Sequence, residues 1–186
     1  MDAPDFEIRP LRAADAEAWR TLRLRALKEE PAAFASSYED AVATDAQTFA
    51  AVIPAEGAAG ALFGLFIEGE LSGSAGFAVF GGLKLRHKGL LWGVYVRPEV
   101  RGRGFGKALV ARVIEHARGH VDLLQAGVTA ADGSARRTYI ALGFRPYGLE
   151  PAALRVDGVD FDEELLWLDF RDAALPAPGL SDRRAP

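Results

Sequence analysis

The chain changes from the hydrophobic period of a strand to that of a helix across a short glycine-rich connection. Leu90 to Val96 is dense in apolar residues and is predicted to form a buried strand. After Pro98, apolar residues recur at helical spacing in a stripe formed by Leu109, Val110, Val113, Ile114 and Ala117. Between the two patterns lie Gly102, Gly104 and Gly106. The sequence therefore predicts a strand that turns tightly into a helix.

The connection at residues 101–107 has the chemistry of an anion site. Glycines let the backbone turn and let a ligand approach it, while the first N–H groups of a helix and the helix dipole favour a phosphate. Arg101, Arg103 and Lys107 add positive charge. A simpler interpretation stays open, in which the glycines only permit close packing of strand and helix.

Two familiar phosphate loops do not fit this segment. A Walker A loop requires a glycine five positions before Gly106 and a hydroxyl residue after Lys107, where the chain has Arg101 and Ala108. A Rossmann fingerprint requires its third glycine two residues beyond Gly106 and an early βαβ unit, whereas several predicted antiparallel strands come first here. The sequence thus argues against nucleoside triphosphate and dinucleotide sites of these two kinds.

Charge is distributed unevenly along the chain. The formal net charge is −4, from 22 basic and 26 acidic residues, which argues against a general nucleic-acid partner. Residues 97–118 hold six bases against two acids, and residues 29–56 hold six acids and no Lys or Arg. We therefore expect a binding cleft whose two ends differ in sign.

The composition limits the chemistry and the location. With no cysteine and three histidines, disulfides and cysteine-based metal sites are excluded, and no metal is expected. The first residues lack the pattern of an export signal, and no stretch reaches the roughly 18 apolar residues of a membrane-spanning helix. We expect a cytoplasmic protein without a membrane partner. A length of 186 residues fits a single domain.

Strand and helix patterns alternate over residues 6–171, which we interpret as one domain between a flexible N-terminus at 1–5 and a disordered tail at 172–186. Phe6 to Leu11 is predicted as a strand, and Asp15 as the N-cap of a helix that Pro31 ends. The other predicted elements are a loop at 32–44, a short helix at 45–53, a hairpin of strands at 61–67 and 71–80, a strand at 123–129, a helix at 134–142, and strands from 144 and at 165–170, with a turn at Asp157-Gly158.

The segment R-x-x-G-x-G, from Arg101 to Gly106, directly follows V-Y-V-R-P at 94–98 and resembles the acyl-CoA pyrophosphate loop of the GNAT N-acetyltransferases. The segment from Asp132 to Tyr139, followed by L-G-F at 142–144, is similar to the family's later N-x-x-A-x-x-x-Y-x-x-x-G-F segment, with Asp132 in place of Asn. The two motifs occur in the family's order. The resemblance covers about residues 6–170.

This resemblance implies an α/β (α+β) fold whose central sheet is mixed and mostly antiparallel, is split near Val96, and has helices on both faces. It also implies acetyl-CoA as the co-substrate, bound in the split, with the strand backbone along its pantetheine arm and residues 101–107 around its pyrophosphate. The residues assigned to acetyl-CoA in this way are Val94, Tyr95, Val96, Arg101, Gly102, Arg103, Gly104, Phe105, Gly106, Lys107, Asp132 and Ala135.

The implied reaction is acetyl transfer to a primary amine by direct attack in a ternary complex. A strand N–H would stabilise the developing oxyanion, and an acid must protonate the departing thiolate. Tyr139 matches the family's thiolate acid. The alternative for Tyr139 is an aromatic side chain that only fills the inner face of a short helix.

The general base is not identified by the sequence. Several family members carry Glu or His on the strand before the pyrophosphate loop, where this chain has Leu90, Trp92 and Val94. An α-amine, with a pKa near 8, needs less help than a lysine-like amine with a pKa of about 10.4. The open candidates are a water relay, Glu39, Glu68 and His87.

The acceptor is expected to be an amine of a small molecule or a peptide. Tyr38 and Glu39 lie in the loop that shapes the acceptor pocket in similar proteins, and their acidic surroundings would attract a cationic amine, although a solvated acidic loop is equally compatible. Two other functions stay open: an acyl-CoA sensor without turnover, and a nucleotide-binding regulator. An exposed apolar edge on the last strands could pair two subunits as a homodimer.

Overall fold

A computed structural model describes residues 5–129 and 133–171. The elements in chain order are β1 (Phe6–Pro10), α1 (Ala16–Glu29), α2 (Tyr38–Ala43), α3 (Ala46–Ala50), β2 (Ala61–Ile67), β3 (Glu70–Val79), β4 (Lys88–Val96), α4 (Phe105–Arg118), β5 (Leu123–Thr129), α5 (Gly133–Ala141), β6 (Arg145–Val156) and β7 (Val159–Asp169). Apart from Asp5, the predicted flexible N-terminus and the predicted tail lie outside the described residues.

Seven strands form one sheet in the order β1-β2-β3-β4-β5-β7-β6. Neighbouring strands are antiparallel except β4 and β5, which are parallel. These two pair only over Lys88–Leu90 and Leu123–Gln125, and beyond that point they separate. The fold is therefore the expected mixed, mostly antiparallel α/β architecture, with the sheet split along the second half of β4.

A β-bulge shapes β4 where the split opens. Gly76 pairs with Trp92 and Ser74 with Tyr95, so two residues of β4, Gly93 and Val94, oppose a single residue of β3. Such a bulge bends the strand and increases its twist. Gly93 has a φ of +63°, in the left-handed region that favours glycine. The bulge thus accounts for the divergence of β4 from β5.

Helices cover both faces of the sheet. On one face, α4 and α5 cover the sheet, and the predicted apolar stripe of α4 is fully buried in the core between them and the strands. The residues of this stripe, all at 0% exposure, are Leu109, Val110, Val113, Ile114 and Ala117. On the other face, α1 and α3 bury a second cluster that includes Trp19, Leu22 and Phe49. The described part of the chain holds no helix with the length and apolar character of a membrane span.

The local predictions are confirmed for most elements and fail at three places. The predicted loop at 32–44 contains α2, because Ser37 caps it by accepting a hydrogen bond from the N–H of Asp40 at 3.0 Å. Asp15 precedes α1, but its carboxylate binds Arg9 and the N–H of Arg12 instead of capping the helix. The last strand begins at residue 159 rather than 165. Its first residues belong to an exposed hairpin end, where polar side chains on both faces leave no alternation of apolar and polar residues to predict a strand.

Candidate functional site

The split in the sheet opens into a cleft of about 400 Å³. Its walls are the end of β4, the 101–107 connection, the first turn of α4, one side of α5 and the segment that follows α1. A volume of this size is typical of small-molecule sites. The cleft brings together sequence-predicted residues from three separate elements: Val94, Tyr95, Val96, Arg101, Gly102, Gly104, Phe105, Gly106, Lys107, Ala135 and Tyr139.

Gly102 and Gly104 give the connection its backbone shape. Their φ angles are +78° and +83°, which only glycine adopts without strain. An added Cβ would meet no heavy atom within 4 Å at either position. Close packing of strand against helix therefore does not account for these two glycines, and the backbone between them faces open space.

The first turn of α4 presents free N–H groups to the cleft. The first bond of the helix runs from the N–H of Ala108 to the carbonyl of Gly104 at 3.0 Å. Within residues 5–129 and 133–171, the N–H groups of Phe105, Gly106 and Lys107 have no acceptor. All three residues line the cleft. Free N–H groups at the positive end of a 14-residue helix form a site for an anion.

The cationic side chains of the connection have different roles. Arg101 donates from Nε to the carbonyl of Val96 at 2.8 Å and pairs through Nη1 with Glu30 at 2.9 Å. It therefore ties the end of β4 to the end of α1 across the cleft. Arg103 and Lys107 are exposed, and no described residue pairs with either of them. Their charge is available to a ligand.

The strand residues of the cleft face in two directions. The side chain of Tyr95 points towards α1, where its hydroxyl donates to Glu29 at 2.5 Å, and burial and this bond both raise its pKa. Val94 and Val96 pack against the core beneath α4. Because its side chain points away from the cleft, Tyr95 could contact a ligand there only through its backbone atoms. Asp132 lies outside the described residues.

Tyr139 lies on α5 where two cavities meet. Its side chain is buried, at 6% exposure, and its ring centroid lies 5.6 Å from that of Phe144. Tyr139 and Ala135 line the main cleft, and both also line a smaller cavity of about 70 Å³. This second space passes through the split itself, between Trp92, Gly93 and Val94 of β4 and Gly127, Val128 and Thr129 of β5.

A groove of about 720 Å³ lies beside the split, between residues 27–39 and the tip of the β6–β7 hairpin. The predicted acceptor residues Tyr38 and Glu39 both line it. Phe34 borders the groove, the small cavity and the main cleft. The groove and the split therefore share a wall at Phe34.

Sequence reasoning missed two charged residues at the split, and Arg23 of α1 is the first. Its guanidinium lies over the ring of Phe34 at 4.4 Å, and its Nη1 is shielded from solvent without a hydrogen-bond partner among the described residues. Burial lowers its pKa to about 10. A Cβ at Gly93 would lie 3.9 Å from this Nη1, so Arg23 reaches the bulge of β4.

Glu163 of β7 is the second missed residue. Its carboxylate lies over Gly127 of β5, where an added Cβ would be only 2.4 Å from Cδ. No hydrogen bond or ion pair within the described chain involves this carboxylate. Burial, and then the charge of Glu150 on β6, raise its pKa. The carboxylate and Arg23 thus reach the two strands that border the split.

Two of the base candidates lie elsewhere. Glu68 is in the turn between β2 and β3, near the outer strand β1, where its N–H bonds the carbonyl of Asp5. His87 precedes β4 at the strand end opposite Val96, about 30 Å away at the usual rise of a strand. Among the described residues, no group of His, Asp or Glu side chains could hold a metal ion.

The sequence does carry a signal for Arg23. It stands four residues after Trp19 and three before Ala26, so it interrupts the buried stripe of α1 with a charge. Glu163 shares its strand face with Leu165 and Trp167, again among apolar side chains. A charged side chain among apolar neighbours destabilises the fold unless it is paired, so such positions indicate candidate functional residues.

The sequence matches the Acetyltransferase (GNAT) family over residues 16–144. The chain belongs to this family of acetyltransferases, as its motifs at 101–106 and 132–144 predicted.

Solved structures with the same fold include three acetyltransferases. An acetyltransferase of the GNAT family from Streptococcus pneumoniae has a TM-score of 0.81 at 20% identity, over 89% of this chain and 99% of that one. The protein yncA from Salmonella typhimurium, described as an acetyltransferase and solved with its cofactor acetyl-CoA, has a TM-score of 0.79 at 23% identity, over 94% and 99%. A ribosomal-protein-alanine N-acetyltransferase from Brucella melitensis has a TM-score of 0.76 at 24% identity, over 88% and 99%. Curated proteins give no match.

Proposed function

We propose that the protein is an acetyl-CoA-dependent N-acetyltransferase that moves an acetyl group to a primary amine of a small molecule or a peptide in a ternary complex. The observation that carries this proposal is the row of free N–H groups at Phe105, Gly106 and Lys107, which opens into a cleft continuous with the split of the sheet. Family membership supports the reaction class.

The residues at the cleft fit acetyl-CoA. The N–H groups of 105–107 and the charges of Arg103 and Lys107 would bind the pyrophosphate, and the edge of β4 at Val94 and Val96, which has no partner strand, would receive the pantetheine arm. Gly102 and Gly104 leave room for this approach. When bound, acetyl-CoA supplies its acetyl group as a thioester, so that transfer forms a C–N bond, breaks the C–S bond and leaves a thiolate that needs a proton.

Tyr139 is the proposed proton donor. It lines both the cleft and the cavity through the split, so its position supports contact with a group held at their junction. A phenol is protonated at neutral pH, so it can donate its proton to the departing thiolate. Positioned acids of this kind contribute about 10²–10⁴-fold to rate.

A homodimer and a cytoplasmic location complete the proposal. The outer strand β6 exposes Tyr147 and Leu149, and β7 exposes Val159, so an apolar edge is available to a second copy. The cysteine-free composition is compatible with the cytoplasm.

The first test is ligand-dependent stability. Acetyl-CoA at about 100 times its Kd is expected to stabilise the protein by about 2.7 kcal/mol and raise its Tm by about 5–10 °C. Gly104→Ala should abolish this shift. Gly82→Ala is the matched control, because Gly82 has a similar φ of +86° and equally open space around its Cβ direction, but lies in the loop between β3 and β4. An equal acetyl-CoA shift in both variants would contradict the proposed pyrophosphate site.

The second test is turnover. Release of free thiol from acetyl-CoA in the presence of an amine panel is expected for a transferase, whereas an acyl-CoA sensor would be stabilised by acetyl-CoA and would release none. A nucleotide-binding regulator would be stabilised by ATP instead. Either of these last two results would replace the proposed function.

A further inference from the structure

We infer that the acceptor is a small amine that carries its own carboxylate, with Arg23 binding the carboxylate and Glu163 facing the amine on the other side of the split. The inference rests on the proposed function and adds the substrate class. It is carried by two charged side chains that lack partners in the described chain and reach the two strands bordering one opening.

Arg23 has the features of a residue that binds an anionic ligand. Its guanidinium carbon lies over the ring of Phe34, 4.4 Å from the ring centroid, which keeps the group beside that ring. No described residue supplies a hydrogen-bond acceptor to it, and Nη1 is shielded from solvent. Arg25, two residues further along the same helix, differs because it pairs with Glu29 at 2.7 Å and with Glu99 at 2.5 Å. A planar guanidinium without a partner favours a carboxylate, which it can bind through two parallel bonds.

Glu163 is the complementary group. Its carboxylate occupies the space that the missing side chain of Gly127 leaves, and Glu150 opposite it on β6 adds negative charge. A half-buried carboxylate beside a second acid favours a cation, and a primary amine enters as its ammonium form. A carboxylate in this position can also accept the proton that the amine must lose before it attacks.

Neither residue lines the cavity through the split itself, but each lies against a glycine that does. Gly93, near Arg23, and Gly127, beneath Glu163, both line the 70 Å³ cavity through the split, on the β4 side and the β5 side respectively. Tyr139 borders the same cavity. An acceptor with one negative and one positive group is therefore oriented by charge across the split, with its amine towards β5.

A peptide N-terminus fits this arrangement less well. Its amine is followed by an amide instead of a carboxylate, so Arg23 would stay buried without its charge partner. Leaving a buried polar group unpaired discriminates strongly between otherwise similar substrates, because the site loses a bond that water cannot replace. A free amino acid is the simplest molecule that satisfies both charges.

The experiment compares matched acceptors in the thiol-release assay. Free α-, β- and γ-amino acids are each paired with their own carboxamide, and a series of dipeptide amides, which lack a free carboxylate, represents peptide acceptors. The expected result is a kcat/KM that is about 10–100-fold higher for at least one acid than for its carboxamide and its dipeptide amide, the discrimination typical of a hydrogen-bonded charge. Equal or higher activity on carboxamides or dipeptide amides would overturn the inference while leaving N-acetyl transfer intact.

Variants then locate the effect. Arg23→Met should raise the KM for the amino acid and bring its preference over the carboxamide close to one, with the KM for acetyl-CoA unchanged, and Arg23→Lys should restore part of it. Arg20→Met is the control, because Arg20 lies on the same helix with an unpaired Nε but its guanidinium is near Phe49 of α3. Full preference retained in Arg23→Met would refute the role of Arg23. In Glu163→Gln, kcat should fall, and an unchanged kcat would refute the role of Glu163.

A binding readout separates this inference from the proposed function. In the presence of CoA, the preferred amino acid should raise the Tm of the wild type and of Arg20→Met but not of Arg23→Met, and its carboxamide should have no effect. If no amine gives thiol release but this Arg23-dependent shift is present, the transferase proposal fails and the carboxylate site stands. If neither free acids nor their carboxamides bind or react, the inference fails.

Discussion

Arg23→Met is expected to make the free protein more stable. Burial lowers the pKa of Arg23 to about 10, well below the ordinary value of an arginine, and this shift corresponds to about 3 kcal/mol of unfavourable free energy for the charged side chain in the folded state. Methionine fills a similar space without a charge, and loses the cation–π contact with Phe34, worth about 1 kcal/mol. The net gain is about 2 kcal/mol, or about 4–8 °C in Tm for a chain of this size.

The pH dependence of this gain has a definite sign. A base whose folded pKa lies below its unfolded pKa carries its full penalty at every pH below the folded value, here about 10, and is relieved only as the pH rises through that value. The difference in Tm between Arg23→Met and the wild type should therefore be constant from pH 6 to pH 9.

Calorimetry of the ligand-free protein across this pH range measures the effect. Arg25→Met is the control on the same helix, because Arg25 is ion-paired at the surface and its loss should change stability by less than about 1 kcal/mol. A Tm for Arg23→Met that is equal to or lower than that of the wild type would refute the reasoning that Arg23 is buried without a partner.

Three further predictions concern the split. Glu163→Gln should raise Tm by about 1–4 °C at pH 8 and leave it unchanged at pH 3.5, because a carboxylate with a raised pKa destabilises the fold only above its unfolded pKa. Solvent screening keeps this effect near 1 kcal/mol or below, and a difference in thermal unfolding that does not change with pH would contradict the prediction. Tyr139→Phe should lower kcat by about 10²-fold with an unchanged acetyl-CoA thermal shift, and an unchanged kcat in the thiol-release assay would remove the proton-donor role. Gly127→Ala should lower kcat with little change in Tm, because the new Cβ displaces only the flexible end of Glu163. Gly76→Ala should instead lower the free energy of unfolding by about 2–4 kcal/mol, since its Cβ would lie 2.2 Å from the ring of Trp92. Similar Tm values for these two variants would argue against both contacts.

The part of the site that the sequence predicts is local in the chain. The free N–H groups at 105–107 follow from a strand, a run of glycines and a helix that are consecutive, and the positive φ of Gly102 and Gly104 is a property of the glycines themselves. The hairpin of β2 and β3 and the antiparallel β4 likewise follow from hydrophobic period and turn residues. Such local elements can be predicted because the sequence preferences of neighbouring residues agree with the final fold, and few tertiary contacts oppose them.

The part that the sequence does not predict is assembled from distant segments. Arg23 and Glu163 are 140 positions apart and come near the split only because β7 inserts between β5 and β6 and α1 packs on the sheet beside β3. No spacing rule relates them. The missed helix α2 depends on one capping hydroxyl, and the shortened prediction for β7 reflects polar residues on both faces of an exposed hairpin.

The short parallel pairing of β4 with β5 has a consequence for amide hydrogen exchange. Only three residue pairs join the two halves of the sheet, so from Leu91 onwards β4 has β3 as its strand partner and no strand on its other edge. The peptide N–H groups within residues 94–96 that point to this unpaired edge are expected to exchange with deuterium orders of magnitude faster than those in the centre of β3. A ligand that runs along the edge as a substitute strand would slow them, so that deuterium uptake by a single peptide covering these residues reports whether the gap in the sheet is filled.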